Sequence, residues 1–137
     1  MKNKVYISKG FSIIELIIVL LVSSIISMVV IPNYEKVQTY AKETTSKNQL
    51  FNLQLALETF FLENGVYPNT INTQELITIL ESKNILKSTL KNPFTNNVFS
   101  ENDTSGKVIY SSTPPNGSYI LEVFGTNNQH SLLRLTH

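Results

Sequence analysis

Glu15 is the one charged side chain between Phe11 and Ile31, set in the stretch Lys9-Gly10-Phe11-Ser12-Ile13-Ile14-Glu15 that runs straight into hydrocarbon. A charge at the centre of a membrane helix costs about 2.5–3.5 kcal/mol on insertion scales, and less near the interface. A carboxylate one turn into a helix complements the positive end of the helix dipole. It can also pair with a cation that has to sit beside apolar surface, which makes both charges tolerable there. Elsewhere the chemistry-bearing residues are sparse. His130 and His137 are isolated, and solvated side chains are expected rather than metal ligands or a catalytic base. No Gly-rich phosphate loop, metal-ligand spacing or nucleophile motif occurs, so neither a catalytic nor a metal site is expected. Glu101 and Asp103 lie close in sequence, but two acids are too few for a cation site. The sequons Asn102-Asp103-Thr104 and Asn116-Gly117-Ser118 are short motifs of a kind that arises by chance.

The element that carries Glu15 is a membrane-length helix. Phe11 to Ile31, with only Ser12, Ser23, Ser24 and Ser27 as further polar residues, spans about 31 Å as a helix, close to a hydrocarbon core of roughly 30 Å. Lys2, Lys4 and Lys9 precede it without an acidic residue among them, which places the N-terminus in the cytoplasm and the rest of the chain on the other side. A secretory signal peptide cut near Val22-Ser23-Ser24 fits poorly, because its apolar core is ordinarily about 7–15 residues long and carries no glutamate. A plain signal anchor explains everything except Glu15. The 137 residues hold at most one further domain, and the absence of cysteine rules out a disulfide framework. The net charge of +1 is far from that of a nucleic-acid binder.

Lys9-Gly10-Phe11-Ser12-Ile13-Ile14-Glu15, followed by an apolar run ending at Pro32, resembles the class III signal of type IV pilins and type II secretion pseudopilins. The resemblance implies that prepilin peptidase cuts between Gly10 and Phe11 on the cytoplasmic side and methylates the new amine of Phe11. The apolar segment is kept, and Glu15 becomes the fifth residue of the mature chain. It further implies that Glu15 of one subunit meets the Phe11 amine of its neighbour during assembly. Glu15 then acts as a register device, as a buried polar residue does in a coiled coil. Loss of Lys2, Lys4 and Lys9 leaves 8 basic against 10 acidic residues, a net −2 before the new amine is counted, so no nucleic-acid partner is expected of the monomer.

Pro32 removes a backbone hydrogen bond and is expected to kink the helix rather than end it, because helical spacing resumes at once. Val37, Ala41, Thr44, Asn48, Phe51, Leu55, Glu58 and Leu62 form one stripe, interrupted by Asn48 and Glu58. Leu50, Leu53, Leu57 and Phe60 or Phe61 form a second beside it. The apolar face is thus narrow up to about Asn48 and wide after it, and a head is expected to cover the wide part, Phe51 and Leu55 included. Gly65 is the expected left-handed cap, and Phe11 to Asn64 would span about 81 Å if continuous. Phe60-Phe61-Leu62-Glu63-Asn64-Gly65-Val66-Tyr67-Pro68 is similar to the corresponding turn of major pseudopilins in type II secretion (pseudopilin G) and of related pilins. Asn72-Thr73-Gln74-Glu75 reads as a capping box that opens a short helix burying Leu76, Ile77, Ile79 and Leu80. Leu86 to Phe94 reads as a loop, with Asn92 where the family has aspartate. Strands follow at Val108–Tyr110, at Tyr119–Phe124 after the Pro114-Pro115-Asn116-Gly117 turn, and at His130–Leu135 after Gly125-Thr126-Asn127-Asn128.

The expected fold is α+β, a pilin-like lollipop whose long N-terminal helix packs on a small antiparallel sheet. Its segments are a cleaved leader (1–10), a transmembrane assembly helix (11–31), an amphipathic helix (32–64) and a globular head (65–137). The expected function is that of a structural subunit in a pilin-family filament, first a type II secretion pseudopilus for protein export. A type IV pilus pilin serving adhesion, motility or DNA uptake is the alternative, as is an anchored binding module that never assembles. An enzyme is not expected. The implied partners are prepilin peptidase, identical or related pilin subunits, an inner-membrane assembly platform and the membrane itself. The implied location is the inner membrane, single-pass with the head outside, and then a periplasmic or cell-surface filament. Major pseudopilins that bind calcium use a Gly- and Asp-rich C-terminal loop. The corresponding Gly125–His130 has no carboxylate, so no cofactor, calcium included, is expected.

Overall fold

The computed structural model describes residues 10–113 and 117–137, apart from the side chain of Pro32. Lys2, Lys4, Lys9 and the Pro114-Pro115-Asn116 part of the expected turn lie outside the described residues. Helix α1 (Ile13–Asn64, 52 residues) opens on the carbonyl of Ser12, which accepts from the Leu16 N–H at 3.2 Å. It is helical through Pro32. Two of the serines in its apolar part turn their hydroxyls back onto the helix, Ser24 to the Leu21 carbonyl (2.7 Å) and Ser27 to the Ser23 carbonyl (2.9 Å). Such back-bonding satisfies a hydroxyl where no water is available. The helix ends at Gly65, whose φ of +75° only glycine adopts without cost and whose N–H reaches the Phe61 carbonyl at 2.7 Å.

The chain divides into two units at Val37/Gln38. In the first, every described side chain from Gly10 to Val37 is exposed, and α1 is the one helix among the described residues long and apolar enough to cross a membrane.

The second unit, Gln38–His137, contains the rest of α1, helix α2 (Thr73–Ser82) and three strands, β1 (Val108–Thr113), β2 (Ser118–Phe124) and β3 (Ser131–Thr136). The strands form an antiparallel meander in the order β1-β2-β3, with Tyr110 opposite Leu121 and Val123 opposite Leu133. Alternation along β2 buries Tyr119, Leu121 and Val123, as a sheet with one face on a core requires. These side chains meet Leu50, Leu53, Leu57 and Phe60 of α1 and Leu76, Ile77 and Leu80 of α2 in one core. The Thr73 hydroxyl donates to the Val108 carbonyl (2.9 Å) and ties α2 to β1. The α+β pilin-like class is therefore observed, as one long helix with a small antiparallel sheet.

Two expectations need correction. The head covers only one of the two stripes on α1. Leu53 and Leu57 are 2% and 0% exposed, whereas Phe51 and Leu55 remain 49% and 68% exposed. The buried face also includes Ser46 and Ala56, whose small side chains hide it from a reading by apolar spacing while allowing close approach. The capping box at α2 is relayed rather than reciprocal. Asn72 Oδ1 accepts from the Gln74 and Glu75 N–H groups, but the Glu75 carboxylate accepts from the Thr70 hydroxyl (2.7 Å). Thr70 Oγ1 in turn accepts from the Asn72 N–H (3.1 Å).

Candidate processing and assembly site

Gly10 and Phe11 precede α1 in non-helical, exposed backbone, with Phe11 72% exposed. A Cβ placed on Gly10 would meet nothing within 4 Å. Among the described residues, therefore, nothing crowds this position or demands glycine there. Glu15 lies in the first turn of α1, where a carboxylate offsets the partial positive charge of the unpaired N–H groups. Its described surroundings, from Phe11 to Ile18, are exposed isoleucine, leucine and phenylalanine, with Ser12 as the one other polar residue. A short approachable peptide and a lone carboxylate in an apolar field are thus brought together within two turns of chain. Pro32 lies farther along the same helix. The arrangement offers an exposed, non-helical backbone at Gly10–Phe11 and a carboxylate that can serve as counter-charge to a neighbouring cation.

On the head, sequence reasoning missed several polar side chains that hold the loops. Glu58, read as a break in an apolar stripe, accepts from Tyr119 Oη (2.8 Å) on one oxygen and Tyr67 Oη (2.9 Å) on the other. Burial, reinforced by this carboxylate, pushes the Tyr67 hydroxyl up to about 12 and raises that of Tyr119 still further. Asn92 is fully buried; its Oδ1 accepts from the Phe94 N–H (2.9 Å) and its Nδ2 donates to the Ser105 carbonyl (2.8 Å). The histidines also have neighbours. His130 Nε2 lies 3.7 Å from Glu43 Oε1, above Gly125, where a Cβ would come within 2.9 Å of both side chains. His137, though exposed, stacks on Tyr119 with ring centroids 6.1 Å apart, and its N–H donates to the Tyr119 carbonyl.

The residues between β2 and β3 do not fit calcium, which takes six to eight oxygen ligands. Asn128 Oδ1 is committed to the Lys107 N–H and the Asp103 carbonyl to Asn128 Nδ2, while Asp103 Oδ2 accepts from the Ser100 N–H. Thr126 Oγ1 is the one buried oxygen of this turn without a partner, and a single hydroxyl does not make a site. Among the described residues no group of three or more His, Cys, Asp or Glu side chains is placed to hold a metal.

The family model for the type II secretion system (T2SS), protein G, matches residues 33–132. Over 65 residues, or 47% of this chain, the sequence is 35% identical to a protein named type IV major pilin protein PilA from Myxococcus xanthus (strain DK1622). That alignment covers 30% of the relative, so the chain spans under a third of the relative's length. No solved structure matches.

Proposed function

The chain belongs to the family of type II secretion system protein G, and from that premise we propose that it is a structural subunit of a secretion pseudopilus that serves protein export. The observation that carries this reading is the exposed apolar surface of the first part of α1, up to Ile31, with Glu15 as the one charge in that stretch. The match to the family begins at residue 33, so residues 9–15 support the reading independently. In the membrane the apolar helix has lipid as its partner, and on leaving it only other subunits can cover the same surface. On the head half, Phe51, Leu55 and Leu62 face away from the core at 49%, 68% and 85% exposure and offer further apolar surface of their own.

In this reading prepilin peptidase cuts between Gly10 and Phe11 and methylates Phe11. Glu15 then pairs with the Phe11 amine of an adjacent subunit as the helix is drawn from the membrane by an inner-membrane platform. An uncompensated amine or carboxylate in the filament interior is expensive, so register is set where the two meet. Pro32 supplies a flexible point between span and stem. The head lies outside the inner membrane, and the chain works without catalytic chemistry of its own. A second reading, a subunit of a type IV pilus, is favoured by the similarity to a protein named as a major pilin.

Mass spectrometry of the mature protein tests the processing step. Expected is an N-terminus at Phe11 with one added methyl; an intact leader in cells that contain the peptidase overturns the reading.

A further inference from the structure

The turn between β2 and β3 contains two consecutive asparagines in the left-handed region, Asn127 (φ 54°) and Asn128 (φ 52°). Asparagine tolerates this backbone better than most side chains, and here each residue reaches across to the loop at 100–107. The Asn127 N–H donates to Ser105 Oγ (2.9 Å). Asn128 bridges two backbone groups of that loop, accepting from the Lys107 N–H on Oδ1 (3.1 Å) and donating from Nδ2 to the Asp103 carbonyl (2.7 Å). The orientation of the amide is dictated by its partners, since a flipped group would set oxygen against carbonyl and N–H against N–H. The loop is itself closed at both ends, by Asp103 Oδ2 on the Ser100 N–H (2.9 Å) and by the Gly106 N–H on the Gly125 carbonyl (3.1 Å).

Divalent cations brace loops by gathering carbonyl and carboxylate oxygens around one positive centre. Here the amide of Asn128 gathers one carbonyl and one N–H instead. We infer that Asn128 is an all-protein brace standing where the resemblance to calcium-binding major pseudopilins would place a cation, and that the head folds independently of divalent metal. The cation-binding alternative would need the Asp103 carbonyl and Asn128 Oδ1 as ligands, and both are already spent on hydrogen bonds. Of the carboxylates beside this turn, Asp103 spends one oxygen on its own loop, and Glu43, which lies against Gly125, faces His130 Nε2 at 3.7 Å.

Thermal melting of the full chain in detergent, followed by near-ultraviolet circular dichroism of the tyrosines, tests this with millimolar calcium and with chelator. The wild-type midpoint should agree between the two conditions, and a calcium titration by calorimetry should give no binding heat. Asn128→Ala and Asn128→Asp should both melt about 5–10 °C lower, equally with and without calcium. Asp103→Asn keeps an acceptor for the Ser100 N–H while removing the carboxylate that a cation needs, and it should melt as the wild type does in both conditions. A calcium-dependent rise of the wild-type midpoint overturns the inference, more so if Asp103→Asn abolishes it. So does an Asn128→Ala variant that melts with the wild type.

Discussion

Leu57→Ala and Leu55→Ala remove the same atoms from α1 two residues apart, yet their outcomes should differ sharply. Leu57 is 0% exposed within the core of the head, and Leu55 is 68% exposed on the opposite face. Truncating a fully buried leucine costs about 2–5 kcal/mol, from lost transfer free energy plus the cavity left behind. For a domain of about 100 residues each kcal/mol moves the midpoint by about 4–8 °C, so Leu57→Ala should melt at least about 8 °C below the wild type. Leu55→Ala removes little buried area and should stay within about 0.5 kcal/mol. The chain has six tyrosines and no tryptophan, and Tyr67, Tyr110 and Tyr119 are buried in the head. Their near-ultraviolet signal therefore reports head packing without interference from the membrane segment. Replacing Leu55 by glutamate extends the test, because the monomer should melt normally while filament yield falls. Equal destabilisation by Leu55→Ala and Leu57→Ala would refute the assignment of the two faces.

The pH dependence follows from Tyr67 and its neighbours. A folded-state pKa raised from 10 to about 12 contributes stability that is complete below pH 10 and is lost as pH rises towards 12. Alkaline unfolding in that window should shift to higher pH in Glu58→Gln, which removes the carboxylate facing the tyrosinate, and tyrosinate absorbance would follow both events. Burial is the larger cause, so the shift should be partial. Asn92→Asp should destabilise the head by about 2–4 kcal/mol in chemical denaturation, because it sets a carboxylate against the Ser105 carbonyl in a buried site.

Legibility in the sequence tracked the range of the interaction. The Gly65 stop, the Asn72 cap and the inward set Tyr119, Leu121 and Val123 are local patterns, and they stand in the structure where spacing and turn chemistry put them. The strand ends differ by one to three residues, since β1 continues past Tyr110 to Thr113 and β3 starts after His130. The face of α1 under the head was misread because one of its buried members, Ser46, is polar and another, Ala56, is too small to mark it, while Phe51 and Leu55 look like core residues yet stay exposed. Glu58 looked like an interruption because its partner Tyr119 lies 61 residues away. The roles of Asn92 and Asn128 are likewise set by loops that only the fold brings together, 13 and 25 residues off. At the N-terminus the position is reversed. The lone carboxylate at Glu15 is conspicuous in sequence, while the isolated chain supplies no partner for it among the described residues, so the proposed pairing needs a second subunit.

Filament assembly by Glu15→Gln is the measurement that tests the account most directly. Glutamine preserves shape, removes a charge that hinders insertion and leaves the Gly10–Phe11 bond intact, so the variant should insert and be processed like the wild type. Without a counter-ion for the neighbouring Phe11 amine, the yield of sheared filaments should collapse, as should disulfide crosslinking between cysteines introduced into the apolar part of α1. Co-expression with wild type should restore part of that yield, because the variant still offers its own amine to a wild-type glutamate. Normal filament yield and normal crosslinking from processed Glu15→Gln would contradict the account and leave α1 as an anchor alone.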